Sequence, residues 1–154
     1  MDNLFFTNEH IMIRNMVREF ADSEITPVAQ ELDELGKFPR DLVDKMGELG
    51  LMGILIPEKY GGAGLDMVAF ATAIMELGRA DASVAITMTA HSSLGSLPIL
   101  MFGSEEQKNT YLPKLASGEM LGAFGLTEPA AGSDAGATKT KAVRDGDEYV
   151  VNGG

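Results

Sequence analysis

The sequence predicts an α+β chain. An all-helical N-terminal domain over residues 1–118 is followed by the start of an antiparallel β domain over 119–154. Two observations carry this. From Ile13 to Leu115, apolar residues recur at the three- and four-residue spacing that lines one face of a helix. After Gly118 the pattern shifts to alternation, and Asp145-Gly146 supplies a hairpin turn.

Thr7 is the N-cap of a first helix whose stripe is Ile13, Met16, Val17, Phe20 and Ala21. Pro27 kinks or restarts it, because proline lacks the N–H and crowds the preceding turn. Gly36 ends it near Leu35. Pro39 suits the first position of a second helix, whose stripe is Leu42, Val43, Met46 and Leu49 and which stops at Gly50. Residues 51–57 are apolar and short, and Gly61-Gly62-Ala63-Gly64 then reads as a flexible connector. Asp66 caps a helix ending near Gly78, and Asp81 caps a long uncharged one that breaks between Pro98 and Gly103. Ser104 and Gln107 have capping-box spacing, opening a helix that is strained at Pro113 and ends at Gly118. Residues 121–127 read as a strand, 137–144 alternate, and 148–152 form the return strand. Two or three such strands are marginal alone, which predicts that they belong to a longer protein.

The 154 residues are 45% hydrophobic and 23% charged, a globular composition. Twelve Lys and Arg stand against 23 Asp and Glu, a net charge of −11, which repels phosphate backbones and anionic lipid. Neither nucleic acid nor a membrane surface is therefore expected as a partner. The absence of cysteine excludes a disulfide framework, a thiolate nucleophile and Cys-ligated metal. No basic run follows Met1, so no signal peptide is expected and the location is read as cytoplasmic. Residues 82–104 carry no Asp, Glu, Lys or Arg and could cross a hydrocarbon core of about 30 Å. Their many Ser and Thr, with His91 and Pro98, favour a helix buried inside a soluble protein.

The chemistry concentrates in Phe124-Gly125-Leu126-Thr127-Glu128-Pro129-Ala130-Ala131-Gly132-Ser133-Asp134-Ala135-Gly136. Its tiny residues let a ligand approach the backbone, its amides could form an anion-binding nest, and Thr127 and Ser133 add hydroxyl donors. The same composition equally suits an ordinary surface loop. Glu128 and Asp134 weigh against phosphate unless they point away. There is no dinucleotide-binding or Walker glycine pattern. His10 reads as a solvated first-turn residue and His91 as a satisfied interior one. No metal site and no catalytic acid or base can be named.

The run from Gly125 to Ala137 resembles the first signature of the acyl-CoA dehydrogenase family. Pro57-Glu58-Lys59-Tyr60-Gly61-Gly62, Phe102-Gly103-Ser104-Glu105-Glu106-Gln107-Lys108 and Tyr149-Val150-Val151-Asn152-Gly153 are similar to further family motifs. The flavour is that of the short-chain, butyryl-CoA-type enzymes. The resemblance implies a helical N-terminal domain, an antiparallel β-barrel-like middle domain and a C-terminal helical domain that is absent from this chain. It implies FAD as cofactor, bound by Phe124, Gly125, Leu126, Thr127, Glu128, Pro129, Ala130, Ala131, Gly132 and Ser133. Leu126 would pack on the flavin, and the Thr127 hydroxyl would bond its pyrimidine edge. Ser133 would touch the FAD phosphates and bind the acyl-CoA substrate, and the helix over 85–97 would help line the acyl pocket. The implied reaction is α,β-dehydrogenation of a short-chain acyl-CoA, with electrons passed to an electron-transfer flavoprotein and the chain assembled as a homotetramer. The catalytic Glu of the family lies in the C-terminal domain, so no catalytic residue is assigned here. Ala130 stands where the motif often carries Gly, and would cost about 1 kcal/mol if its φ were positive. The other function class is a non-catalytic helical interaction module on the same scaffold.

Overall fold

The computed structural model describes residues 6–154. The chain forms two compact units, the first ending at Ala123 and the second comprising Phe124–Gly154.

In the first unit, α1 (Asn8–Phe20) opens with a capping box in which Thr7 and His10 satisfy each other's backbone amides. The helix widens into a π turn over Ala21–Ile25, where the Thr26 amide reaches back to Ala21 at 2.9 Å. It then gives way to turns at 26–28 and restarts after Pro27, as expected of a residue that lacks the N–H and crowds the preceding turn, with Val28 as the new N-cap. Then come α2 (Ala29–Leu35), closed by left-handed Gly36, and α3 (Arg40–Glu48), for which Pro39 is the N-cap, one position earlier than expected. Next are α4 (Met67–Ala80), α5 (Ala82–Thr89), a second π turn (Ala90–Ser96), α6 (Leu97–Phe102) and α7 (Glu105–Ala116). The run continues through Pro98 and breaks at Gly103, the far end of the expected interval. The Leu97 amide bonds to Ser92 in the wide turn, and Pro98 sits in the first turn of α6, where no amide is needed. Likewise α7 runs through Pro113 to Ala116.

One core joins Val17, Phe20 and Ile25 to Leu42, Val43 and Met46, to Phe70, Ala73 and Leu77, and to Val84 and Met88. Leu51, Met52 and Ile54 complete it from a run of tight turns. Fully burying each large side chain is worth about 1.5–3 kcal/mol. A smaller cluster packs Ile56 and Tyr60 (in a 3₁₀ turn, Glu58–Tyr60) on Leu112, Leu115 and Ala116 of α7. The glycine-rich segment is not a flexible connector. The amides of Ala63, Gly64 and Leu65 bond to the carbonyls of Gly53, Ile56 and Ile54 at 2.8–3.0 Å.

Ala82–Phe102 is a continuous helical run, long and apolar enough to cross a membrane by length and composition alone. It is not buried all round. Val84, Ala85, Met88, His91, Ser92 and Ser96 face the interior, whereas Ile86, Leu94, Met101 and Phe102 are exposed.

Arg18 of α1 grips the buried Glu76 of α4 through two bonds of 2.7 and 2.9 Å. Arg18, and then Arg79, hold the Glu76 carboxyl below the usual carboxylate range against the opposing effect of burial. A carboxyl whose pKa is depressed by folding stabilises above its unfolded value of about 4.3. That stabilisation is lost as pH falls through the lower folded value. Glu76→Gln is therefore expected to melt below the parent at neutral pH, with the gap closing on acidification. A gap independent of pH would show that the pair contributes nothing through charge.

In the second unit, β1 (Lys141–Asp145) and β2 (Glu148–Asn152) pair antiparallel, with Lys141 opposite Asn152 and Asp145 opposite Glu148. Gly146 takes φ 61° at the turn, which glycine adopts without penalty. The strand expected over 121–127 is not formed. These residues lack a ladder partner among the described residues, and a strand exists only as half of a pair.

Candidate functional site

Before the glycine-rich signature, the chain is anchored on the long helical run. The Gly122 amide donates to His91 Nδ1 at 3.0 Å, and the other ring nitrogen of His91 lies 3.1 Å from the Met52 carbonyl. An Nδ1 that accepts leaves the proton on Nε2, which therefore donates to Met52. His91 is 1% exposed, and burial pushes its pKa down, so it stands neutral as a structural tie. The backbone at Gly122 lies flat on Gly95: a Cβ on Gly95 would be 2.5 Å from the Gly122 Cα. His10 is not solvated either. It is 5% exposed, and its Nε2 lies 3.0 Å from both oxygens of Asp66, the N-cap of α4.

Within the second unit, the signature folds as a small reversal. Glu128 and Ala131 exchange both backbone bonds, at 2.8 and 3.2 Å, around Pro129-Ala130. Ala131 is buried, and Gly132 lies against the Thr127 methyl. No non-glycine residue among those described has a positive φ, so Ala130 bears no strain here. Gly125 and Gly132 are likewise outside the left-handed region. The amide nest of alternating right- and left-handed residues is therefore not formed. Instead, the amides of Gly125, Leu126, Thr127, Gly132 and Ser133 donate to no group among the described residues, and neither do the hydroxyls of Thr127 and Ser133.

Gly125, Leu126, Thr127 and Glu128 line an open cleft of about 540 Å³, faced by Thr138, Thr140, Val151, Gly153 and Gly154. The cleft does not include Phe124 or Pro129 through Ser133: Phe124 and Ser133 are exposed, and Pro129-Ala130 crowns the turn. Thr138, Thr140 and Val151 were missed in the sequence. The only signal for them was the alternation after 137, which places every second residue on one face. Both oxygens of the Glu128 carboxylate are taken up by backbone donors. Oε2 accepts from the Lys139 amide at 2.7 Å and Oε1 from the Thr140 amide at 2.9 Å. Hydrogen bonding by the Thr140 side chain and by these amides holds its carboxyl below the usual range.

These residues fit a planar, hydrogen-bonding ligand. Leu126 is 40% exposed beside the cleft and offers an apolar surface. A Cβ on Gly125 would meet nothing within 4 Å, so neither crowding nor φ within the chain requires glycine there. Among the described residues, no group of three or more metal-ligating side chains converges.

The chain is similar to several known proteins along nearly its whole length. A probable acyl-CoA dehydrogenase of Bacillus subtilis is 54% identical over 151 residues, 98% of this chain and 40% of that protein. A short-chain specific acyl-CoA dehydrogenase of Clostridium acetobutylicum is 48% identical over 147 residues, 96% of this chain and 39% of that protein. The chain thus spans about 40% of the length of these relatives. An acyl-CoA dehydrogenase from Bacillus anthracis, solved in complex with FAD, superposes with a TM-score of 0.90 at 46% identity, over 97% of this chain and 26% of that one. A chain solved in work on the electron transferring flavoprotein of Acidaminococcus fermentans and flavin-based electron bifurcation superposes at 0.94 with 47% identity, over 98% of this chain and 40% of that one. Residues 7–119 match the family model for the acyl-CoA dehydrogenase N-terminal domain, and the chain accordingly belongs to the acyl-CoA dehydrogenase family.

Proposed function

We propose that this chain is the N-terminal part of an FAD-dependent acyl-CoA dehydrogenase acting on short-chain acyl-CoA thioesters, with an electron-transfer flavoprotein as electron acceptor. Family membership supports the reaction class, and the short-chain specific relative supports the acyl length. The solved relative with FAD supports the cofactor, and the electron-transferring-flavoprotein system of the other neighbour supports the acceptor. The single observation that carries the reading is the cleft at 125–128, with the open amides of Gly125, Leu126 and Thr127, the free Thr127 hydroxyl and the exposed Leu126.

FAD bound there would supply a ring that accepts hydride from the substrate β-carbon. The chain's own residues then have separable tasks. Leu126 gives the ring an apolar face and keeps water from it. Thr127 and the neighbouring amides present donors to the polar edge, where negative charge grows on reduction. The Ser133 hydroxyl is available to phosphate oxygens of cofactor and thioester. Phe124 and residues 129–132 shape the turn around these contacts.

The protein carrying this chain at its full natural length is expected to purify yellow, or to turn yellow with added FAD. Anaerobic butyryl-CoA is expected to bleach the flavin absorbance, and a long-chain acyl-CoA to bleach it less. A protein that stays colourless with excess FAD would sink the reading in favour of a non-catalytic helical module. Thr127→Val keeps the side-chain shape and removes the hydroxyl. It is expected to slow bleaching about tenfold, the worth of roughly one hydrogen bond to developing charge.

A further inference from the structure

We propose that Glu128 is a positioning residue of the candidate flavin site: its carboxylate, held across the amides of Lys139 and Thr140, fixes the shape of the cleft without touching the ligand. The inference rests on the FAD reading above. Both carboxylate oxygens are engaged, one on each of two successive amides, at 2.7 and 2.9 Å. Those amides lie 11 and 12 residues along the chain, so the clamp closes the signature loop on itself. The Glu128 backbone meanwhile pairs with Ala131 and fixes the reversal. Thr138 and Thr140 flank the clamped Lys139, and both line the cleft together with Thr127. The clamp therefore ties the two lining segments, 125–128 and 138–140, to each other.

This also answers why an acidic residue is tolerated where an electron-rich ligand would bind. A carboxylate accepting two amide hydrogens has its charge stabilised by the two N–H dipoles. Glutamine cannot replace it. Its single carbonyl oxygen serves one amide, and its NH2 group would meet the other donor head-on. Alanine leaves both amides unpaired.

The test uses the full-length protein, its flavin removed and restored, as parent, Glu128→Gln and Glu128→Ala. Asp147→Asn at the hairpin tip controls for charge. Hydrogen exchange at the Lys139 and Thr140 amides, measured without flavin, reads the clamp. FAD affinity and the band shape of the bound flavin read the cleft. Both Glu128 variants are expected to speed exchange at the two amides and to weaken FAD by about tenfold or more, the usual worth of a hydrogen bond to a charged group. The parent should also lose FAD affinity as pH falls through the titration of this carboxyl, whereas Glu128→Gln stays flat over that range. Unchanged exchange would overturn the clamp itself. Faster exchange with parental FAD affinity and band shape would overturn its positioning role. A parent that binds no FAD would remove the flavin reading and this role together, and the exchange measurement would still show whether the clamp exists.

Discussion

Replacing His91 with Leu is expected to destabilise the helical unit by about 2–6 kcal/mol. The side chain is nearly isosteric, so little of this comes from a cavity. It comes from two backbone groups that lose their partners in a buried site, the Met52 carbonyl and the Gly122 amide. Each unsatisfied group costs about 1–3 kcal/mol. For a unit of this size the melting temperature should fall by about 10 °C or more. His91→Gln can restore one of the two bonds and is expected to fall between. The parent carries a pH signature as well. Burial lowers the His91 pKa, so below about 6.5 the unfolded chain takes up a proton that the fold resists. In that window the unfolded state binds more protons, and stability drops as pH falls. Both variants should lack that component. A His91→Leu protein melting within about 2 °C of the parent would show that the tie is not needed, since 2 °C is well under 1 kcal/mol.

Gly62→Ala is the second large effect. A methyl group there would collide with the Ile56 carbonyl, which is backbone and cannot rotate away. Relief requires pulling the segment off the three bonds that Ala63, Gly64 and Leu65 make to the 53–56 turns. We expect a loss above the usual overpacking range of about 1–3 kcal/mol. Gly61→Ala, next door, is the control. Gly61 has φ 82° but nothing within 4 Å of a Cβ, so only backbone strain of about 1–2 kcal/mol applies. Urea denaturation of both should rank Gly62→Ala as clearly worse. The reverse order would mean that the segment is loose after all, as its composition suggested.

That reversal shows where the sequence was readable. The Thr7, Asp66, Asp81 and Ser104 caps, the left-handed Gly36 and the hairpin at Gly146 depend on a residue and its neighbours within about four positions, and all are present. The stripe of α1 also faces the core as its spacing requires, and so does that of α3 except for the exposed Leu49. The signature at 125–137 was legible as a motif, which is why the family could be recognised from it. The proline positions were visible too, and the restart after Pro27 follows from them. A proline shows that an amide is missing, and only the surrounding packing lets the helix run on through Pro98 and Pro113.

By itself the sequence determined the helical period, the caps, the hairpin and the small-residue turn, because each is settled by contacts local in the chain. Tertiary structure alone decided the rest. It buried His10 and His91 against partners 56 and 39 residues away, folded the glycine segment onto a distant turn, and left one face of the 82–102 helix open. It also turned Glu128 from an apparent obstacle to an anionic ligand into a clamp on two amides. The reason is the same in each case. A polar group's role depends on which donor or acceptor reaches it, and the chain must fold before distant groups meet.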